Sequence, residues 1–186
     1  MTVARTVISF TLDRKSIDNA IRELEAYKQD FISKCEQLRQ RVAERIAWSA
    51  QRGFQTAMLG DTFMRISGKN RSPEQPIVGG NVTVTSEQRG EISVVIANGE
   101  DAVWIEFGAG VYHNGAAGDS PHPWGLENGF GIGTYGQGKG ARNVWGYKDG
   151  NNGIVLTHGT PAAMPMYRGA EEAMRALDEI IREVFG

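Results

Sequence analysis

From Ile17 onward, apolar residues recur at Ile21, Leu24, Phe31, Cys35, Leu38, Val42 and Ile46, with Glu, Lys, Arg and Gln filling the positions between. Steps of three, four and seven trace one stripe of an α-helix. Neither proline nor glycine interrupts the run before Gly53. A continuous helix of roughly 35 residues is about 50 Å long. That is more than a globule of 186 residues covers along its whole length. The plain expectation is a long core helix with one solvated face. The sharper one is that an end projects and packs on a partner chain as an apolar seam.

The rest of the chain argues for one α+β domain over 1–186. Val7 to Leu12 alternates like a half-buried strand, and Ser16 stands where an N-cap belongs. Gly53 and Gly60 are expected to end the long helix. Gly68 to Gly80 carries Pro73 and Pro76 and reads as a loop. Val82–Thr85 and Ile92–Ile96 flank Glu87–Gly90 as a hairpin. Asn98 is placed to cap a short helix from Ala102 to Phe107, which Gly108 would end in a left-handed conformation. Val144–Tyr147 and Gly153–Thr157 read as strands, and a last helix starts near Pro165. The expected fold is a long N-terminal helix and a C-terminal helix packed on a small, mainly antiparallel sheet, with a long Gly-rich loop.

That loop, 108–153, holds 14 of the 24 glycines, together with Tyr112, Trp124, Phe130, Tyr135, Trp145 and Tyr147. Loops this long inside a domain are usually functional or disordered until bound, and disordered linkers are poor in aromatic residues. Tyr112, Trp124, Phe130 and Tyr135 lie away from any periodic element and are expected to contact a partner chain. Trp104 and Trp145 are expected in the core.

The bulk chemistry narrows the function. A formal charge of −2 argues against a general nucleic-acid binder. The single Cys35 excludes an internal disulfide and reads as a small core hydrophobe. No apolar run approaches the ~18 residues of a membrane span, and no secretory leader is evident, so the chain is expected in a cytoplasm until it assembles.

Catalytic motifs fare poorly. Gly131-Ile-Gly133-Thr-Tyr-Gly136 matches a dinucleotide fingerprint but lacks the strand and helix that make it work. Gly133 to Lys139 resembles a phosphate loop, yet Gly140 stands where the metal-binding Ser or Thr belongs. His113, Asp119 and His122 raise a metal site, but the glycine and proline between them give no rigid scaffold. Glu106 is a lone acid on an apolar helix, either solvated, capping a neighbouring group or a general acid. No catalytic residue, cofactor or metal is assigned.

Three motifs together resemble the head–tail joining or tail-completion proteins of tailed bacteriophages, also described as minor capsid or neck proteins. The first is Ala102–Gly110, with Trp104, Glu106, Phe107 and Gly108; it is similar to the family's short helix ending in Glu-Phe-Gly-Thr-Gly, with Ala109 replacing the threonine. The second is the glycine-rich run leading to Trp145-Gly146-Tyr147. The third is Thr157–Met166, with Gly159, Pro161 and Pro165, which precedes the last helix. The resemblance covers roughly Val42 to the C-terminus. It implies a non-enzymatic virion protein that assembles in the host cytoplasm. There it forms a homo-oligomeric ring at the head–tail junction, beside other connector and tail proteins, and lets DNA pass without sequence-specific binding. Two alternatives come from other classes: a small metal-dependent hydrolase using His113, Asp119, His122 and Glu106, or a carbohydrate- or protein-binding module displaying Trp124.

Overall fold

The helical run becomes α1 (Arg14–Thr56), 43 residues and about 65 Å long. The structure is a computed structural model that describes residues 8–60, 62–75, 77–109, 122–125, 127–130, 144–151 and 153–186. Tyr112, His113, Asp119 and Tyr135 lie outside the described residues, as do both glycine-rich nucleotide-motif matches.

The N-cap of α1 is Asp13 rather than Ser16. The Asp13 carboxylate accepts the Ser16 N–H at 3.0 Å, and the Ser16 hydroxyl accepts the Thr11 N–H at 2.9 Å. Asp13 wins because three residues separate it from the amide it must reach, the usual capping geometry. Its carboxyl is held below the ordinary value, first by the Thr11 hydroxyl and then by the Ser16 N–H. No strand forms over residues 8–12, where Phe10 and Leu12 are exposed. Alternation makes a strand only where a neighbouring ladder takes up the backbone groups.

Nor does Gly53 end α1. A Cβ built there would lie 2.7 Å from Pro165 Cβ, so the glycine marks a helix crossing and not a break. The helix stops after Thr56 instead, where Ala57 turns extended and its N–H still reaches Gly53 O.

Among the described residues eight strands form three antiparallel sets, where one small, mainly antiparallel sheet was expected. β1 (Met58–Gly60) pairs with β4 (Ile77–Val78). β2 (Thr62–Ser67), β3 (Asn70–Pro73), β7 (Trp145–Lys148) and β8 (Ile154–Thr157) form a sheet in the order β3-β2-β8-β7. β3 and β4 lie in the stretch expected as a loop. Asn-Arg-Ser-Pro has no apolar alternation, and Pro73 is tolerated because β3 is an edge strand.

β5 (Thr83–Arg89) and β6 (Ile92–Asn98) are the expected hairpin, with longer strands and a tighter turn at Gly90, φ 61. Gln51 of α1 holds this hairpin. Its Nε2 donates to Val82 O at 3.0 Å and its Oε1 accepts the Val84 N–H at 2.7 Å. The side-chain amide thus stands in for a partner strand along β5.

α2 (Ala102–Phe107) is N-capped by Asp101, not Asn98, which ends β6. Asp101 Oδ2 accepts the Asn81 N–H at 3.1 Å and so fixes the chain beside the helix start. Gly108 ends α2 with φ 81 as expected, but ψ 162 places it in an extended region open to glycine and not in the left-handed helix. The core lies between α1, the hairpin and α2: Phe54 and Ile105 are fully buried, with Ala57, Val82 and Ala102 around them.

The expected single last helix is two, α3 (Pro165–Arg175) and α4 (Leu177–Phe185), separated at Ala176, whose φ of −87° and ψ of 0° leave the helical region. α3 crosses α1 closely because Gly169 faces Ile46 O at a built-Cβ distance of 3.0 Å. α4 runs along α1 as far as Phe31, with Arg41 and Glu183 2.7 Å apart and the Phe31 and Phe185 rings 6.0 Å apart. Toward its N-terminus α1 continues past α4.

Glu172 fastens the crossing. Its carboxylate accepts from Ser49 Oγ at 2.6 Å and from an Arg45 guanidinium nitrogen at 2.8 Å. The Ser49 hydroxyl first, then Arg45, holds the Glu172 carboxyl below its usual 4.5. With the folded value below the unfolded one, the unfolded chain takes up the proton first as pH falls. The contribution of Glu172 is therefore present above about pH 4.5 and lost below it. Because the group is well exposed, the effect is small. Urea unfolding across pH 3–6 is expected to show a shallower acid limb in Glu172→Gln than in the native chain.

Candidate functional site

Glu106 occupies the last turn of α2, on the face turned toward the start of α3, and is 7% exposed. Pro165 is the first residue of α3, where its missing N–H leaves nothing unpaired. The next two amides do need partners. Met164, at the N-cap, is left-handed (φ 56) and offers no side-chain hydrogen bond. The Glu106 carboxylate takes its place from another helix. Oε2 accepts the Met166 N–H at 2.8 Å and Oε1 accepts the Tyr167 N–H at 3.0 Å. A negative charge at a helix N-terminus also meets the positive end of the dipole.

The same Oε1 accepts from His122 Nε2 at 3.0 Å. His122 Nδ1 accepts the Trp124 N–H at 3.0 Å, so Nε2 is the nitrogen that carries the proton. The His122 side chain is 1% exposed. One buried carboxylate therefore joins three pieces of chain: α2, the start of α3 and the segment 122–130.

That segment folds through short backbone bonds. The Gly125 N–H reaches His122 O and the Phe130 N–H reaches Gly125 O, both at 2.8 Å. Its rings lie on the body. Phe130 stacks on Phe107 with centroids 4.5 Å apart and planes 6° apart. Phe107 also meets His122 at 4.4 Å, and Trp104 meets Phe130 edge-on at 6.5 Å. Trp124 stands perpendicular to Tyr167 at 5.5 Å and is 52% exposed.

The first and third motifs meet at the same junction. Ala109 and Thr160 exchange backbone hydrogen bonds at 2.8 and 2.7 Å, and the Ala163 N–H reaches Ile105 O at 2.8 Å. Gly159 is buried with φ 102, and its N–H reaches the Thr157 hydroxyl at 2.9 Å. Pro161 follows, half-buried. His158 stacks on Phe63 with ring centroids 4.8 Å apart.

Of the residues expected at a partner contact, Trp124 is presented to solvent and Phe130 is packed inward against Phe107. Trp104 is half-buried beside Phe130. Trp145 lies in β7, paired with Thr157 of β8. Of the group His113, Asp119, His122 and Glu106, the structure joins His122 and Glu106. Among the described residues no three His, Cys, Asp or Glu side chains converge as metal ligands. Tyr167 carries no signal in the sequence, lying one position beyond the Thr157–Met166 motif. Pro165 at the first helical position, preceded by Met164 and not by Ser, Thr, Asp or Asn, was the available signal that a cap had to come from elsewhere.

No family model matches the chain, and neither curated proteins nor solved structures gave a match.

Proposed function

We propose that this chain is a structural subunit of a bacteriophage head–tail junction, a connector or tail-completion component that assembles with copies of itself into a ring around passing DNA. The observation that supports this reading best is the way segment 122–130 is built. His122 and Phe130 are spent on holding the segment to the body, and Trp124 is left half in water on a fixed platform. A rigid, exposed tryptophan is a common anchor of protein interfaces. A head-to-tail ring requires two different complementary surfaces on each subunit. The β1–β4 ribbon leaves Ile77 49% and Val78 63% exposed, a second apolar surface of the kind Trp124 could meet. The Glu106–His122 contact, which would be the centre of a hydrolase reading, is consistent with a structural role, since both imidazole nitrogens and both carboxylate oxygens already have partners.

Trp124→Ala is the test. The substitution removes an exposed ring, so the thermal midpoint is expected within a few degrees of the native value. Ring-sized species seen by negative-stain microscopy and sedimentation are expected to disappear. Rings that form unchanged would rule out Trp124 as the contact, and a native chain that stays monomeric with tail proteins present would rule out the ring.

A further inference from the structure

The β5–β6 hairpin is covered along one edge and bare along the other. Val84 turns its N–H away from β6 and onto Gln51 Oε1, at 2.7 Å. Residues directly opposite in an antiparallel pair aim their backbone groups alike, both inward or both outward. Val84 lies opposite Ala97, Ser86 opposite Val95 and Gln88 opposite Ser93. The N–H and C=O groups of Ser93, Val95 and Ala97 therefore face out from the far side of β6. Among the described residues no strand pairs with that side, and no backbone hydrogen bond reaches these groups.

Nothing along this edge keeps another strand away. Strand edges that stay single are shortened, bulged, or marked with charges or proline. β6 runs seven residues, Ile92–Asn98, in unbroken register with β5 and without a charge or a proline. Ser93 lines a cavity with Gln40, Ala43 and Glu44 of α1, so Ile92, Val94 and Ile96 lie on the opposite face. Ile92 is 60% exposed. The other described edges match poorly. β3 carries Arg71 and Pro73, β7 ends on Lys148, and β1 and β4 are three and two residues long. The edge that fits β6 in length and character is β6 itself.

We propose that β6 pairs antiparallel with β6 of a second copy about a two-fold axis at Val95, joining the two hairpins into one four-stranded sheet. In this register Val95 meets Val95, Ser93 of each copy meets Ala97 of the other, and Val94 meets Ile96. The outward groups of the three edge residues then satisfy one another in about six hydrogen bonds. On the outer face the two Val94–Ile96 pairs are cross-strand apolar neighbours. Neither strand carries a charged side chain, so no like charges are set opposite each other. The contact is isologous, so it is separate from any head-to-tail ring contact and joins two subunits or two rings. It is smaller than a standard interface, and a dissociation constant on the order of 10 µM is expected.

The test uses the full-length chain carrying Trp124→Ala, which removes the contact proposed for the ring and leaves β6 untouched. Sedimentation is expected to show mostly monomer near about 1 µM and mostly dimer near about 100 µM. Residue-resolved amide exchange over that range is expected to slow about fivefold at Ser93, Val95 and Ala97. The Val94 and Ile96 amides, bonded to β5 in both states, should not change. Val94→Lys sets a charge against Ile96 of the other copy and is expected to weaken the dimer about tenfold. Adding Ile96→Glu in the same chain is expected to recover most of that loss, because each new ammonium then meets a carboxylate of the other copy. A chain that stays monomeric, a dimer whose three edge amides exchange as in the monomer, or a Val94→Lys loss that Ile96→Glu does not recover would each overturn the pairing. Rings formed by the native chain test the Trp124 contact and are scored separately.

Discussion

Replacing Glu106 by glutamine is expected to destabilise the fold nearly as much as replacing it by alanine, at about 3–5 kcal/mol for either. The reason is that all three groups facing the carboxylate are donors: the Met166 N–H, the Tyr167 N–H and His122 Nε2. Glutamine keeps one acceptor oxygen and turns an NH₂ toward the remaining donors. At least one buried N–H is left without a partner, and the negative charge at the α3 N-terminus is lost. Out of a total stability of typically 5–15 kcal/mol, a loss of this size is a large share. Chemical denaturation of native chain, Glu106→Gln and Glu106→Ala measures it directly. A glutamine variant as stable as the native chain would mean that the carboxylate is not needed as an acceptor for all three.

The second large effect runs against helix propensity. In the middle of an ordinary exposed helix, glycine to alanine adds about 1 kcal/mol of stability. Gly53→Ala is expected to cost roughly 2–3 kcal/mol instead. The new methyl would lie 2.7 Å from Pro165 Cβ and 3.3 Å from Pro165 Cα, and neither atom can swing aside as the end of a flexible side chain could. Relief requires α3 to move off α1. Pro165 also begins the helix that Glu106 caps, so that movement stretches the two bonds from Met166 and Tyr167. Thermal unfolding of Gly53→Ala gives the sign at once. A raised midpoint would show that the crossing has slack.

Much of the fold was legible in the sequence, and the exceptions have local causes. The long helix, the hairpin and the short helix before Gly108 each carried a strong period or a clear stop, and each is present. Gly53 misled because glycine has two uses, breaking a helix and letting another chain approach it closely, and the sequence does not tell which applies. β3 and β4 were invisible because edge and ribbon strands with one dry neighbour need no apolar alternation. The site was legible in part. Glu106 stood out as an acid on an apolar helix, and capping was among its readings. What it caps, 60 positions further on in Met166, is set by tertiary packing, which no local pattern encodes. The same holds for Phe130: its distance from any periodic element suggested an outward role, yet the flat face of Phe107 lies within reach and takes it. Trp124, two residues from His122, is held outward by the bond between its own amide and that imidazole.

Everything proposed for segment 122–130 depends on one carboxylate holding it and the start of α3 together. Amide hydrogen exchange reports both at once. In the native chain the Met166, Tyr167 and Trp124 amides are expected to exchange slowly. In Glu106→Gln, studied where the variant remains folded, all three are expected to speed up together, by tenfold or more for about 1.4 kcal/mol of lost protection. Faster exchange at Met166 and Tyr167 with Trp124 unchanged would contradict the account, because it would show that the segment keeps its place without the acid.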